Sequence, residues 1–112
     1  MVERDGRVAV IGAGSWGTAL AALSDRAGRP TVLWVRDETA ANEMRSSRVN
    51  ARYLPDLALP PAIDVSSDLE YALAGAAVAV FAVPTHAMRD VARAAAPFVG
   101  EAVVVTVAKG LE

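Results

Sequence analysis

The chain contains no cysteine and only one histidine, His86. Without cysteine there are no disulfides and no thiolate metal sites, and one histidine cannot by itself build a zinc centre. No metal site is therefore expected. No apolar run in the sequence reaches the roughly 18 residues that a membrane-spanning helix needs. There is also no basic block. The 11 lysines and arginines and 13 acidic residues are spread along the chain for a net charge of −2, so nothing marks a nucleic-acid footprint. The opening segment MVERDGR is charged and lacks the apolar centre of a secretory signal. Internal repeats and low-complexity tracts are missing too. The expectation is a soluble, cytoplasmic protein.

What the sequence does hold is apolar bulk. At 112 residues it fits one domain, 1–112, with a real core. Hydrophobic residues make up 54% and the mean hydropathy is +0.31, both high for a soluble domain. A parallel sheet buried on both faces accounts for this, because its strands read as continuous apolar runs. A second account is apolar surface kept for a partner domain, which would let the chain associate with itself.

Apolar runs and helical periods alternate along the chain. Val8 to Ile11 reads as a strand that stops at a glycine cluster. Residues 16–27 read as a helix with Ala19, Leu20 and Leu23 at helical spacing, and Gly28 is a natural stop. TVLWV (31–35) is a second strand with Trp34 in the core, and Asp37 can cap a helix carrying Ala41 and Met44. Residues 46–61, with three prolines and no stable period, read as a long excursion of the functional kind. A short strand at 63–65 precedes SDLE, which matches a capping box with Ser67 as cap and Glu70 three residues on. That helix should end near Gly75. AVAVFAV (77–83) is a buried strand closed by Pro84. Thr85 can cap a helix with Met88, Val91, Ala92 and Ala95 on one face, broken by Pro97 and Gly100. A last strand lies within 101–110. Such alternation predicts an α/β fold, a doubly wound parallel sheet of the Rossmann type. Ligands of these sheets bind beyond the carboxyl ends of the strands. Those ends carry Gly12–Gly14, Arg36–Asp37, Pro84–Thr85–His86 and Lys109–Gly110, which should converge on one rim.

Gly12, Gly14 and Gly17 satisfy G-x-G-x-x-G after a strand and at the start of a helix. Gly12 permits the tight turn, Gly14 lets backbone approach a pyrophosphate, and Gly17 allows close helix–strand packing. Free N–H groups at the helix start would then meet the phosphates. The spacing predicts dinucleotide binding. Arg36, directly after the second strand, suits a 2′-phosphate, and Asp37 reads as a helix cap. NADP(H) is accordingly favoured, with NAD(H) left open. Lys109, a cation at a strand end, can attract an anionic substrate and polarise a carbonyl. His86 lies on the same rim but reads as structural.

VIGAGSWGTALA, VLWVRD, NARYLPDLALP, FAVPTH and VVTVAKGLE, in this order, resemble the NAD(P)-dependent sn-glycerol-3-phosphate dehydrogenases over essentially the whole chain. The similarity covers that family's amino-terminal cofactor domain. Ser-Trp inside the glycine motif, the N-x-x-Y-L-P loop and the K-G-L-E segment are its discriminating parts. The resemblance implies cofactor contact by Ser15, Trp16, Arg36 and Tyr53, with Pro84 on the same rim, and a Lys109 that touches both cofactor and substrate. Tyr53 could equally pin the 46–61 excursion to the domain, and Trp16 could wall the cofactor cleft or simply pack. The implied reaction interconverts dihydroxyacetone phosphate and sn-glycerol 3-phosphate, a precursor step of phospholipid synthesis, in a homodimeric enzyme. The family's catalytic lysine lies in a helical second domain, so no residue of 1–112 is assigned acid–base catalysis. The chain by itself is expected to bind cofactor weakly without turnover. Two other readings stay open: the cofactor domain of another two-domain dehydrogenase such as a ketopantoate reductase, and an NAD(P)-sensing module that would not need Lys109.

Overall fold

The computed structural model describes residues 6–107. A five-stranded parallel sheet contains β1 (Val8–Ile11), β2 (Thr31–Trp34), β5 (Asp64–Ser66), β6 (Val78–Phe81) and β7 (Val103–Thr106) in the order β5-β2-β1-β6-β7. The helices are α1 (Ser15–Arg26), α2 (Glu38–Ser47), α3 (Leu69–Leu73) and α4 (Thr85–Val99). The chain steps outward from β1 to β2 to β5, then crosses back to lay β6 against the other side of β1. That reversal between β1 and β6 is the switch point of a doubly wound sheet, where a crevice opens at the strand ends. The expected Rossmann-type architecture is present.

Strand alternation divides the core in two. Ala9, Ile11, Val32, Trp34, Ala79 and Phe81 face the side covered by α3 and α4. Val10, Leu33 and Val65 face α1 and α2, where Ala21, Ala41 and Met44 meet them. The parallel register puts Ile11 beside both Trp34 and Phe81, so one row of large side chains underlies the crevice. The strands are shorter than the apolar runs predicted, although the ladder runs on at single bonds, Ala82 N–H to Ile11 O and Val35 N–H to Ser66 O.

Several expectations change. The buried face of α1 is Gly17, Thr18 and Ala21, while Leu23 is 57% exposed. The helix lies so near the sheet that only small side chains fit between them, which turns the large apolar residues outward. α3 is capped by Asp68, not Ser67: its carboxylate accepts from the N–H groups of Glu70 and Tyr71. This later start puts Ala72 and Leu73 in the core, at 0% and 1% exposure. α4 has Pro84 at its cap position, and Thr85 is the first helical residue with no side-chain capping bond. Its buried stripe is Ala87, Val91 and Ala95, and Ala92 faces out. Pro97 lies inside α4, one turn from its end, where the carbonyl it leaves unbonded belongs to exposed Arg93 and can be hydrated. Gly100, at φ +57°, ends the helix.

Residues 46–61 are more regular than expected. α2 runs on to Ser47, and a hairpin of β3 (Val49–Asn50) and β4 (Leu54–Ala58) follows. Arg48 makes the reversal with a left-handed backbone, φ 59°. Its guanidinium donates to the carbonyls of Pro60 and Ile63 at 2.6 Å each, and its own carbonyl accepts from Leu59 N–H at 2.7 Å. These bonds tie both ends of the hairpin to the domain. The edge strand β7 leaves Val103, Val104 and Val105 exposed. Among the described residues no helix is long and apolar enough to cross a membrane, and no cluster of three or more metal-ligating side chains occurs.

Candidate functional site

A cleft of about 580 Å³ opens at the carboxyl ends of the sheet strands, a volume within the usual range for small-molecule sites. Its floor is the β1–α1 turn. Gly12, at φ +120°, adopts a backbone that side-chain-bearing residues rarely take. A Cβ there would also stand 2.6 Å from the carbonyl oxygen of Ala82, so this turn and the β6–α4 turn touch backbone to backbone. Gly17 is required more strictly, since its Cβ would fall 1.8 Å from the carbonyl oxygen of Gly12. Both glycines serve internal packing, and Gly17 does not itself line the cleft.

Gly14 differs from both. It has ordinary dihedrals, φ −72° and ψ −169°, and a Cβ there would meet nothing within 4 Å. Nothing inside the protein demands a glycine at this position, and the space beside it belongs to the cleft. The N–H groups of Gly14 and Ser15 have no backbone partner among the described residues. Such groups at a helix start carry partial positive charge and suit an anion.

The walls come from four other segments. Ser15 and Trp16 stand at the start of α1, with Trp16 half-exposed on the cleft. Arg36 and Asp37 follow β2. Asp37 Oδ2 accepts from Ala40 N–H at 2.8 Å, which confirms its role as the cap of α2. Pro84 comes from the β6–α4 turn and His86 from the first turn of α4, and Val107 follows β7. Tyr53 reaches in from the hairpin, and the guanidinium of Arg52 lies 5.1 Å from its ring centroid. Of the rim predicted from the strand ends, Gly12, Gly14, Arg36, Asp37, Pro84 and His86 line the cleft, Thr85 does not, and Lys109 and Gly110 lie outside the described residues. Trp34 is buried in the core as expected, yet one edge of it also borders the cleft.

Two lining residues carry chemistry that sequence reasoning left without a role: Arg52 and Asn50. Both belong to N-x-x-Y-L-P, a motif recognisable as a unit, but nothing in the spacing shows which of its side chains turns inward.

A family model described as NAD-dependent glycerol-3-phosphate dehydrogenase N-terminus matches residues 7–112. The chain belongs to this family. It is 48% identical over 108 residues to the glycerol-3-phosphate dehydrogenase (NAD(P)+) of Pelotomaculum thermopropionicum, covering 96% of this chain and 31% of that protein. The corresponding enzyme of Acinetobacter baumannii is 41% identical over 106 residues, with 95% and 30% covered. Among solved structures, glycerol-3-phosphate dehydrogenase from Coxiella burnetii superposes with a TM-score of 0.88 at 32% identity, covering 96% of this chain and 34% of that one. The chain therefore spans about a third of the length of these relatives. A ketopantoate reductase from Ralstonia eutropha shares the fold, with a TM-score of 0.69 at 22% identity over 95% of this chain and 35% of that one.

Proposed function

We propose that the cleft binds a nicotinamide dinucleotide with its pyrophosphate over the start of α1. We further propose that the whole enzyme uses it to interconvert dihydroxyacetone phosphate and sn-glycerol 3-phosphate. Residues 1–112 serve as the dinucleotide-binding domain. The observation that carries the reading is the open space beside Gly14, bordered at a helix start by the N–H groups of Gly14 and Ser15, which have no backbone partner among the described residues. It lies at the β1/β6 switch point, where the fold places such ligands.

In this reading Gly12 and Gly17 shape the turn, while Gly14 and Ser15 face the pyrophosphate. Trp16 walls the cleft, and Arg36, Tyr53 and Pro84 border the rest of the cofactor. When bound, the cofactor exchanges a hydride with the carbon that carries the reacting oxygen. Lys109 draws the phosphorylated substrate and stabilises negative charge on its carbonyl oxygen as the hydride arrives. Homodimeric assembly and a part in phospholipid precursor synthesis, as the family resemblance implies, belong to the same reading, as does a cytoplasmic location.

The cleft also supports a preference for NADP(H) over NAD(H). Arg36 and Arg52 both line it, while one oxygen of Asp37 is held by the first turn of α2. Two guanidinium groups suit a 2′-phosphate, and a carboxylate engaged as a cap is a poor acceptor for ribose hydroxyls. Titration with NADPH and NADH, followed by cofactor fluorescence, tests both levels. Both should bind, NADPH more tightly, and Arg36→Ala should narrow the gap by about tenfold, or about 1.4 kcal/mol. Failure of either cofactor to bind at millimolar concentration would refute the site. Equal loss for both cofactors in Arg36→Ala would refute the preference alone.

A further inference from the structure

Asn50 is a polar residue at 4% exposure, at the end of β3 and beneath the glycine turn. Both its amide hydrogens and its carbonyl oxygen are engaged. Nδ2 donates to the carbonyl of Ala13 at 2.7 Å and to Thr18 Oγ1 at 2.9 Å, and Oδ1 accepts from Tyr53 N–H at 3.3 Å. Thr18 is itself wholly buried in α1, and its hydroxyl donates to the same Ala13 carbonyl at 3.4 Å. One side chain therefore links three parts of the cleft: the glycine turn, the first turns of α1, and the hairpin that carries Arg52 and Tyr53.

The chemistry of this link is specific. Two donors on one side and an acceptor on the other require a primary amide. Aspartate cannot donate, and glutamine adds a methylene to a buried slot. The bond to Ala13 has a geometric consequence. In a planar trans peptide the C=O and the following N–H point in opposite directions. A carbonyl of Ala13 held on Asn50 leaves the N–H of Gly14 on the far edge of the same peptide plane. Gly14 N–H has no backbone partner among the described residues, and Gly14 lines the cleft.

We infer that Asn50 is a positioning residue for phosphate binding: by holding the Ala13–Gly14 peptide it aims the Gly14 N–H at the pyrophosphate of the dinucleotide. The inference rests on the reading of the cleft as a dinucleotide site. It makes the 46–61 segment part of the pyrophosphate grip through a contact behind the glycine turn. It also holds the phosphate end of the cleft and the Tyr53 end in one geometry.

The test compares ADP-ribose, which has the pyrophosphate, with adenosine, which has none, by calorimetric and chemical-shift titration of wild type and Asn50→Ala. ADP-ribose affinity should fall about tenfold, while adenosine affinity should stay within about threefold. A parallel fall for both ligands would show general distortion of the site and overturn the positioning role. Unchanged ADP-ribose affinity would overturn it as well. Should Asn50→Ala not fold, Asn50→Leu keeps the volume, adds no charge and loses both donors. It should show the same selective loss, and wild-type affinity for ADP-ribose in that variant would overturn the inference. If wild type binds neither ligand, the dinucleotide reading fails rather than the role of Asn50 within it.

Discussion

Gly14→Ala should separate folding from binding. Ala at this position meets no atom within 4 Å and its backbone, φ −72° and ψ −169°, suits any residue. Two small terms oppose each other. Replacing glycine removes unfolded-chain entropy worth about 0.4–1 kcal/mol, and alanine is a poorer helix cap than glycine by about the same amount. Stability should therefore change by no more than about 0.5 kcal/mol, or roughly 2–4 °C in Tm for a domain of this size. Binding should suffer because the new methyl group occupies the space over the helix start that the pyrophosphate needs. A loss of at least about tenfold, 1.4 kcal/mol, is expected for NADH and NADPH alike. Gly17→Ala provides the contrast. Its Cβ would lie 1.8 Å from the Gly12 carbonyl oxygen, so backbone must move. Overpacking of this kind costs about 1–3 kcal/mol or more, which lowers Tm by several degrees per kcal/mol before binding is considered. Thermal melts by circular dichroism and fluorescence titration on the same samples read both quantities. Undiminished cofactor affinity in Gly14→Ala, or a Tm loss matching that of Gly17→Ala, would refute the argument.

Asp37→Ala removes the capping bond of α2 and should cost about 1 kcal/mol, a Tm loss of about 4–8 °C. NADH affinity should change less than threefold, whereas a tenfold loss would show that Asp37 binds ribose instead. At the other end of the sheet, the Tyr71 hydroxyl donates to Asp64, and its pKa is raised above 10.0. The cause is chiefly that hydrogen bond, then the carboxylate charge and slight burial, opposed by nearby Arg7. The folded state thus holds the proton more firmly than the unfolded chain. Its contribution to stability is complete below about pH 10 and is lost as pH rises through the raised pKa. Tyr71→Phe should remove that part of the alkaline dependence of urea midpoints, and an unaltered profile above pH 10 would count against it.

Much of the arrangement was legible because it rests on local chemistry. Glycine after an apolar run ends β1, Asp37 caps α2 as read, and the alternating elements gave the sheet with its rim of strand ends. The misread positions share one cause. Leu23 has the right spacing and the right chemistry for a core residue, but the closeness of α1 to the sheet admits only Gly17, Thr18 and Ala21. Ser67 is as good a cap as Asp68 until the packing of Ala72 and Leu73 chooses the start of α3. Pro97 reads as a breaker, yet the carbonyl it leaves free is in the solvent-facing last turn of a helix.

The 46–61 segment shows the same division within the site. Its prolines and missing period marked it as irregular and functional, but its hairpin depends on long-range bonds from Arg48 to Pro60 and Ile63. By itself the sequence determined the fold class, the family and a glycine turn suited to phosphate, because these follow from neighbours along the chain. Only the tertiary structure decided which glycines serve the protein and which leaves room for a ligand. Likewise it alone brought Asn50 to Ala13, 37 residues apart in sequence. Contacts at that separation are set by how the layers pack, and no local period or motif encodes them.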